Sequence, residues 1–154
     1  MADARVVERH GWKLYRAAAF AETLEGLERE VARLARDDPD GYPSHPKAKL
    51  LRRIGDLIFD EIPRDPNAHI YGLGNTLGPA HRHWRRAKFL QRFRLFFRFD
   101  STSRIIIYAW VNDENTLRKA GVRTDPYSVF LRRLNEGNPP DSWEDLLSDA
   151  GHRK

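Results

Sequence analysis

Residues Arg92-Phe93-Arg94-Leu95-Phe96-Phe97-Arg98-Phe99 alternate in side-chain character with a period of two, and the remaining elements can be placed around them. This period is typical of a β-strand whose two faces meet different surroundings. One face is entirely apolar and consists of Phe93, Leu95, Phe97 and Phe99. The opposite face consists of Arg92, Arg94, Phe96 and Arg98. The apolar face predicts a core, and the other predicts a basic surface that contains one aromatic ring.

The segments on either side of this strand also have a strand-like pattern. Residues 83–90 precede it, residues 104–111 follow it, and residues 100–103 (DSTS) have the composition of a hairpin turn. A further strand is predicted near the N-terminus, at residues 6–15. These four segments predict one small antiparallel sheet.

Three segments are predicted to be helices. Apolar side chains recur at spacings of three and four over residues 20–34, and a second apolar face runs from residue 46 to residue 62. The sequence DDPDG at residues 37–41 ends the first helix, and Pro63 ends the second. A third helix begins with Asp125 as its N-cap and Pro126 in its first turn. The expected fold class is therefore α+β, with two N-terminal helices and a C-terminal helix packed on the sheet.

A glycine-rich loop is predicted at residues 67–79, where Gly72, Gly74 and Gly78 have the spacing G-x-G-x-x-x-G. A nucleotide-binding fingerprint would follow a strand and open a helix, whereas this loop follows a helix. The sequence therefore favours a turn-rich connection over a nucleotide site.

The overall composition predicts a folded protein and favours a polyanionic partner. The 154 residues suffice for one domain across residues 1–154, and 40% of them are hydrophobic and 32% charged. The sequence has no cysteine, no apolar run long enough to span a membrane and no recognisable secretion signal, so we expect a cytoplasmic protein. The formal net charge of +5 favours a polyanionic partner.

The positive charge is concentrated between Arg82 and Arg98. This stretch contains six arginines and Lys88 without one acidic residue. Because the arginine fork matches phosphate oxygens, the stretch predicts binding to nucleic acid, with Trp84 and Phe96 stacking on unpaired bases. The alternative is a solvated sheet face whose cations discourage aggregation of strand edges.

Residues 135–150 have the opposite balance, with five acidic residues and no basic one. Trp143, Leu146 and Leu147 offer apolar anchors in this segment. It either folds back over the basic face, docks a partner or forms a final surface helix. Of these we expect the surface helix.

Four blocks of the sequence resemble the YhaV toxin family of the RelE superfamily. They are residues 72–79 (GLGNTLGP), 83–89 (HWRRAKF), 92–99 (RFRLFFRF) and 107–113 (IYAWVND), and the resemblance extends from about residue 11 to residue 147. It implies a RelE-like fold and an endoribonuclease that cleaves mRNA with translating ribosomes, without a cofactor or a metal ion. It also implies neutralisation by a PrlF-type antitoxin with an AbrB-like fold, and binding of operator DNA by the toxin–antitoxin complex.

The resemblance further implies which residues carry the chemistry. RelE-like enzymes activate a ribose 2′-hydroxyl to attack the neighbouring phosphate, so that cations stabilise the transition state while a base and an acid move protons. The residues that match the superfamily pattern are Arg86, Lys88, Arg94, Arg123 and Tyr127. Arg94 is expected to clamp the phosphate, and Lys88 to be the general base or a transition-state cation. Tyr127 would stack on a base or assist proton transfer. The flanking residues expected to bind RNA are Arg82, His83, Trp84, Arg85, Arg92, Phe96 and Arg98.

Two departures from the superfamily pattern bear on these assignments. The turn before Arg94 is one residue shorter than in RelE, and residues 112–122 form an insertion before Arg123. The assignments of Arg123 and Tyr127 therefore depend on a less direct match, and Tyr127 has an alternative interpretation as an ordinary residue of an amphipathic helix.

Histidines offer a rival mechanism. His81 and His83 lie beside the basic strand, and a histidine near the scissile phosphate, His83 above all, would be a natural acid or base near neutral pH. A zinc site formed by His69, His81 and His83 is not expected, because no residue supplies a fourth ligand at a suitable spacing.

Two other functions compete with that of a ribonuclease. A non-catalytic nucleic-acid-binding module would use the same basic face and leave RNA intact. An assembly subunit would use that face only to hold an acidic antitoxin. Growth arrest on expression that is lost in a folded Arg94→Ala variant distinguishes the enzyme from both.

Overall fold

The computed structural model describes residues 7–113 and 125–151, which form an α+β fold around a five-stranded sheet, and the predicted fold class is confirmed. The spatial order of the strands is β1-β2-β5-β4-β3. Their bounds are β1 Val7–Arg9, β2 Trp12–Arg16, β3 Arg85–Phe89, β4 Phe93–Asp100 and β5 Ile105–Val111.

The sheet is mixed and not purely antiparallel as predicted. Strands β3, β4 and β5 form an antiparallel meander, but β5 runs parallel to β2. The connection from β2 to β3 returns the chain to the end of the sheet at which β2 begins, so β3 runs in the same direction as β2. Because β4 is antiparallel to both β3 and β5, β5 also runs in the direction of β2. The strand predicted at residues 6–15 is in fact the β1–β2 hairpin, whose turn places His10 and Gly11 at φ angles of 51° and 82°. Residue 6 lies outside the described residues.

Two helices cover the first face of the sheet. They are α1 (Ala18–Asp37) and α2 (Pro46–Asp56), and α2 continues through a π-helical turn, Leu57–Glu61, into the single helical turn α3, Ile62–Arg64. The second predicted helix is thus confirmed to within two residues. Proline cannot donate a backbone hydrogen bond and its ring crowds the preceding turn, so the wider π turn before Pro63 accommodates it. The core on this face includes Phe20, Leu24, Ile54, Ile58, Leu95, Phe97 and Ile106.

Two further helices cover the second face of the sheet. They are α4 (Pro126–Asn135) and α5 (Trp143–Gly151), and the buried side chains between them and the strands include Trp84, Phe96, Ile107, Trp110, Phe130 and Leu146. Short 3₁₀ turns at Tyr42–Ser44, His69–Tyr71 and Pro79–His81 complete the connections.

The expected final surface helix is present as α5: Glu144, Asp145 and Ser148 are exposed, while its apolar side packs against the sheet. Leu146 is fully buried, and a carboxylate oxygen of Asp149 accepts a hydrogen bond of 2.8 Å from the backbone N–H of Ala18. Ala17, the N-cap of α1, provides no side-chain acceptor, so Asp149 supplies the missing cap from 131 residues away.

The alternation predicted for β4 is confirmed, but the exposure predicted for its basic face is wrong. Leu95 and Phe97 lie in the first core, and Phe96 lies in the second. With helices on both sides of the sheet, neither face of β4 is open to solvent along most of its length. None of the helices within residues 7–113 and 125–151 has the length and apolar character that crossing a membrane requires.

Candidate functional site

Strand pairing between β3 and β4 brings three predicted catalytic cations together. Arg86 and Lys88 are two residues apart on β3 and therefore point to the same side of the sheet. Lys88 lies directly opposite Arg94 on β4. Directly opposed residues of an antiparallel pair have Cβ atoms about 5 Å apart. The register of one hairpin thus places the three positive charges on one patch.

Tyr127, on the first turn of α4, joins the two arginines of this patch. Its hydroxyl oxygen accepts hydrogen bonds from Nε of Arg86 at 2.9 Å and from Nε of Arg94 at 3.1 Å. Both arginines are buried, with 9% and 7% of their surface exposed. We call Arg86, Lys88, Arg94 and Tyr127 the basic cluster. Its four members are four of the five catalytic residues predicted from the sequence.

Backbone carbonyl groups fix the other side of each guanidinium. Nη1 of Arg86 donates to the carbonyl of Gly72 at 2.8 Å, in the glycine-rich loop. Nη1 of Arg94 donates to the carbonyls of Gln91 and Phe93 at 2.8 and 2.9 Å. Each fork is therefore held on two sides before any ligand binds, which is the preorganisation that transition-state stabilisation requires.

Among residues 7–113 and 125–151, no acid neutralises the cations of the basic cluster. In the part of the chain that the structure describes, no carboxylate pairs with Arg86, Lys88 or Arg94, and the Lys88 side chain is exposed. No hydrogen bond among these residues engages Nη2 of either arginine, and neither atom is a buried donor without a partner. The Nη2 groups of Arg86 and Arg94 and the ammonium group of Lys88 are thus available to an anion.

Sequence reasoning missed Asn112 as part of this site. Asn112 is buried; its Oδ1 accepts from the backbone N–H of Arg94 at 2.7 Å, and its Nδ2 donates to the carbonyl of Arg92 at 3.2 Å. These bonds fix the backbone from which the Arg94 side chain projects. The only signal in the sequence was its position in a block of family resemblance, at the end of β5.

Local capping positions Tyr127 at the site. The carboxylate of Asp125 accepts from the backbone N–H of Tyr127 at 2.9 Å, and Pro126 occupies the first turn, so the predicted N-cap is confirmed. Tyr127 also packs edge-on against Phe96, with ring centroids 5.6 Å apart. Arg123, the fifth predicted catalytic residue, lies outside the described residues.

The base-stacking role predicted for Trp84 and Phe96 does not agree with their burial. Both rings are fully buried. Phe96 stacks on Phe130 with centroids 4.1 Å apart, and Trp84 meets Phe130 edge-on at 5.0 Å. They are core residues beneath α4, because the C-terminal helices occupy the face that the sequence alone left open.

Arg98 is also covered by the C-terminal segment. Its guanidinium lies 5.5 Å from the ring of Trp84 and 5.6 Å from that of Trp143, and its Nη1 donates to the carbonyl of Asp141 at 2.6 Å. Burial lowers the pKa of the Arg98 guanidinium, while the carboxylates of Asp141 and Glu144 act in the opposite direction. Arg98 therefore links the sheet to the α4–α5 connection.

The remaining predicted RNA-binding residues do not share one environment. Arg82, His83 and Arg92 are exposed, although Nε of Arg82 donates to Asn75 Oδ1 at 2.7 Å. Arg85 is one residue out of phase with Arg86. Its Nη2 donates to the carbonyls of Asn67 and Ala68, and its guanidinium lies 5.6 Å from the ring of Phe99. Arg85 therefore points away from the basic cluster.

The two histidines proposed for a rival mechanism lie beside Asp141. The same carboxylate oxygen is 3.0 Å from His83 Nε2 and 3.4 Å from His81 Nδ1, and it accepts from Trp84 Nε1 at 2.6 Å. Burial raises the pKa of the Asp141 carboxyl, but these hydrogen bonds and the charges of the histidines outweigh it and hold the pKa below its ordinary value. His69 does not belong to this group.

Replacing Tyr127 with phenylalanine tests how much its hydroxyl contributes to the site. The change keeps the ring but removes the acceptor of two buried Nε–H groups. We expect the free energy of unfolding in urea to fall by about 1–3 kcal/mol. The matched control is Tyr15→Phe, because the half-buried Tyr15 hydroxyl makes no hydrogen bond in the described ranges. Equal unfolding curves for the two variants would show that the Tyr127 hydroxyl does not hold the arginines.

Comparison with known proteins identifies close similarity over almost the whole chain. The family model for YhaV toxins, described as toxins with endonuclease activity of toxin–antitoxin systems, matches residues 14–151. The toxin YhaV of Escherichia coli O6:H1 is 39% identical over 143 residues, which cover 92% of this chain and 93% of that protein. The ribonuclease toxin YhaV of Escherichia coli strain K12 is 40% identical with the same coverage. No solved structure matches the chain significantly.

Proposed function

Because this chain belongs to the YhaV family of toxins with endonuclease activity from toxin–antitoxin systems, we propose that it is an endoribonuclease that cleaves mRNA at the basic cluster. The substrate is proposed to be RNA because a 40% identical relative is named a ribonuclease toxin. The observation that carries the assignment to these residues is the pair of preorganised guanidinium groups beside Lys88, which have no carboxylate partner within the described ranges.

The proposed reaction is attack of a ribose 2′-oxygen on the adjacent phosphorus. The 2′-oxygen forms a bond to phosphorus, the bond to the 5′-oxygen of the next nucleotide breaks, and the products are a 2′,3′-cyclic phosphate and a 5′-hydroxyl. A base takes the proton from the 2′-hydroxyl and an acid gives one to the leaving 5′-oxygen. No water is consumed in this step, so the site needs only to orient the RNA, move protons and stabilise charge.

The basic cluster provides groups for each of these tasks. The Nη2 atoms of Arg86 and Arg94 are proposed to bind the non-bridging phosphate oxygens, where negative charge accumulates in the transition state. Lys88 is proposed to act beside them as general base or as a third cation. Tyr127 holds both guanidinium groups in register, and its ring faces the same site. Because three cations already face the phosphate, the proposed chemistry uses no metal ion.

The partners are proposed from the same family membership. We propose that the antitoxin is of the PrlF type, with an AbrB-like fold, and that the toxin–antitoxin complex binds operator DNA. We propose that cleavage takes place on translating ribosomes in the cytoplasm. The exposed Arg82 and Arg92 lie on the chain segments that flank the basic cluster and are proposed to extend the contact with the RNA backbone.

The deciding experiment is mRNA cleavage in a reconstituted translation system that lacks the antitoxin. The expected result is cleavage by the wild-type protein, with cyclic phosphate ends on the 5′ fragments, that depends on active ribosomes. Cleavage of ribosome-free RNA at the same rate would support the ribonuclease activity but contradict its dependence on ribosomes. RNA that is bound in a salt-dependent manner but stays intact would instead support a non-catalytic binding module.

Replacing Lys88 with alanine is expected to lower the cleavage rate by about a hundredfold or more. Lys88 is exposed and has no ion pair within the described residues, so the variant should have the same urea midpoint of unfolding as the wild-type protein. Lys13→Ala is the matched control, because Lys13 is also an exposed strand lysine, on β2. If both variants cleave at wild-type rates under single-turnover conditions, Lys88 has no part in the chemistry.

A further inference from the structure

A second group of chemically competent side chains lies outside the basic cluster. It consists of His81 and His83, at the entry to β3, and Asp141, in the connection between α4 and α5. One ligand atom from each lies within 4.8 Å of the other two. This is the one group of three or more such residues with metal-ligand spacing among residues 7–113 and 125–151.

The distances in this group match those around a small transition-metal ion. Nitrogen and oxygen ligands of zinc lie about 2.0–2.1 Å from the metal, so two ligands at a tetrahedral angle are about 3.3 Å apart. The Asp141 oxygen lies 3.0 Å from His83 Nε2 and 3.4 Å from His81 Nδ1. All three ligand atoms lie within 4.8 Å of one another, so small rotations of the imidazole side chains would place them around one ion.

The surroundings of the group resemble the outer shell of a metal site. Nε1 of the fully buried Trp84 donates at 2.6 Å to the same Asp141 oxygen and orients the carboxylate. Nη1 of Arg98 donates to the backbone carbonyl of the same residue. Outer-shell donors of this kind orient ligating carboxylates and are a general feature of such sites. His83 is exposed, which leaves a fourth position open to solvent.

We propose that His81, His83 and Asp141 bind one divalent ion of the zinc type, which fastens the C-terminal segment to the start of β3. Two imidazoles and one carboxylate suit zinc, and the open position would hold a water molecule. The site joins residues that are 58 and 60 positions apart in the chain. Bound metal would therefore stabilise the packing of α4 and α5 on the sheet, since it binds only the folded arrangement. This role is structural and separate from the proposed cleavage site.

The test is equilibrium binding of Zn²⁺ alone to the full chain, free of any histidine tag, with thermal unfolding as a second readout. We expect one Zn²⁺ per chain at micromolar concentrations and a rise in unfolding temperature that EDTA reverses. His83→Ala and Asp141→Asn should each weaken binding by about a hundredfold or more, since even outer-shell changes cost ten- to a hundredfold.

The matched control is His10→Gln. His10 also contacts a carboxylate, Asp60, at 3.0 Å, but the pair provides only two ligands. This variant should bind Zn²⁺ as the wild type does. The proposal is overturned if the wild-type chain binds no Zn²⁺ at these concentrations, or if His83→Ala binds it as tightly as His10→Gln. Because His83 is exposed, His83→Ala should fold without metal, so that lost binding reports the ligand and not a lost fold.

Discussion

Replacing Arg94 with alanine is expected to reduce mRNA cleavage by about a hundred- to a thousandfold and to abolish growth arrest in cells. The side chain supplies one of the two Nη2 donors that face the proposed phosphate position, and through its Nε it helps to hold Tyr127. Water replaces a lost preorganised donor poorly, because it must first reorient toward the charge that develops on the phosphate. Single-turnover cleavage in the reconstituted translation system measures the loss.

Arg94→Lys separates charge from geometry at the same position. Lysine keeps a positive charge but lacks the planar fork, so it cannot bind Tyr127, the backbone carbonyls and the phosphate together. We expect it to restore less than about a tenth of the wild-type rate, because only part of the donor set returns. Urea unfolding of both variants tests whether the fold is retained. A folded Arg94→Ala protein that cleaves within a few-fold of the wild-type rate would remove Arg94 from the active site.

The strands around Arg94 could be predicted because they obey a local rule. Side chains of β4 alternate between two faces whatever they pack against, so the assignment of Leu95 and Phe97 to one core needed only the sequence. The mixed sheet could not be predicted in the same way, because the direction of β2 relative to β5 depends on the long connection between them.

The exposure of the basic face could not be predicted from alternation. Alternation states which side chains share a face, but it does not state whether that face is covered. The cover comes from α4 and α5, whose contacts join residues far apart in sequence, such as Asp141 with Trp84 and Asp149 with Ala18. The aromatic rings of the stretch from Arg82 to Arg98 therefore lie in the core, and its guanidinium groups lie at the edge of that core.

The members of the basic cluster were identified by resemblance, and the structure explains why resemblance was needed. Arg86, Lys88 and Arg94 come from one hairpin, so pairing rules alone bring them close. Tyr127 is 33 residues from Arg94, and nothing in its local sequence distinguishes it from a core tyrosine. Asp141 had no signal beyond the acidic character of its segment, because its partners are defined only by the tertiary fold.

Replacing Phe130 with alanine is expected to have the largest effect on stability, about 3–5 kcal/mol in the free energy of unfolding. Phe130 is fully buried between Phe96 at 4.1 Å, Trp84 at 5.0 Å and Trp110 at 5.8 Å. Urea denaturation measures the loss, and Phe59→Ala, which removes a partly buried ring on the opposite face, should cost less.

The same substitution should also reduce cleavage, because Phe130 and Tyr127 share one face of α4. If the aromatic contacts hold α4 in place, their loss lets the Tyr127 hydroxyl move away from Nε of Arg86 and of Arg94. Phe130→Leu keeps most of the volume and should restore both stability and cleavage. A Phe130→Ala protein that is destabilised but cleaves at the wild-type rate below its unfolding transition would show that the arginines hold their positions without α4.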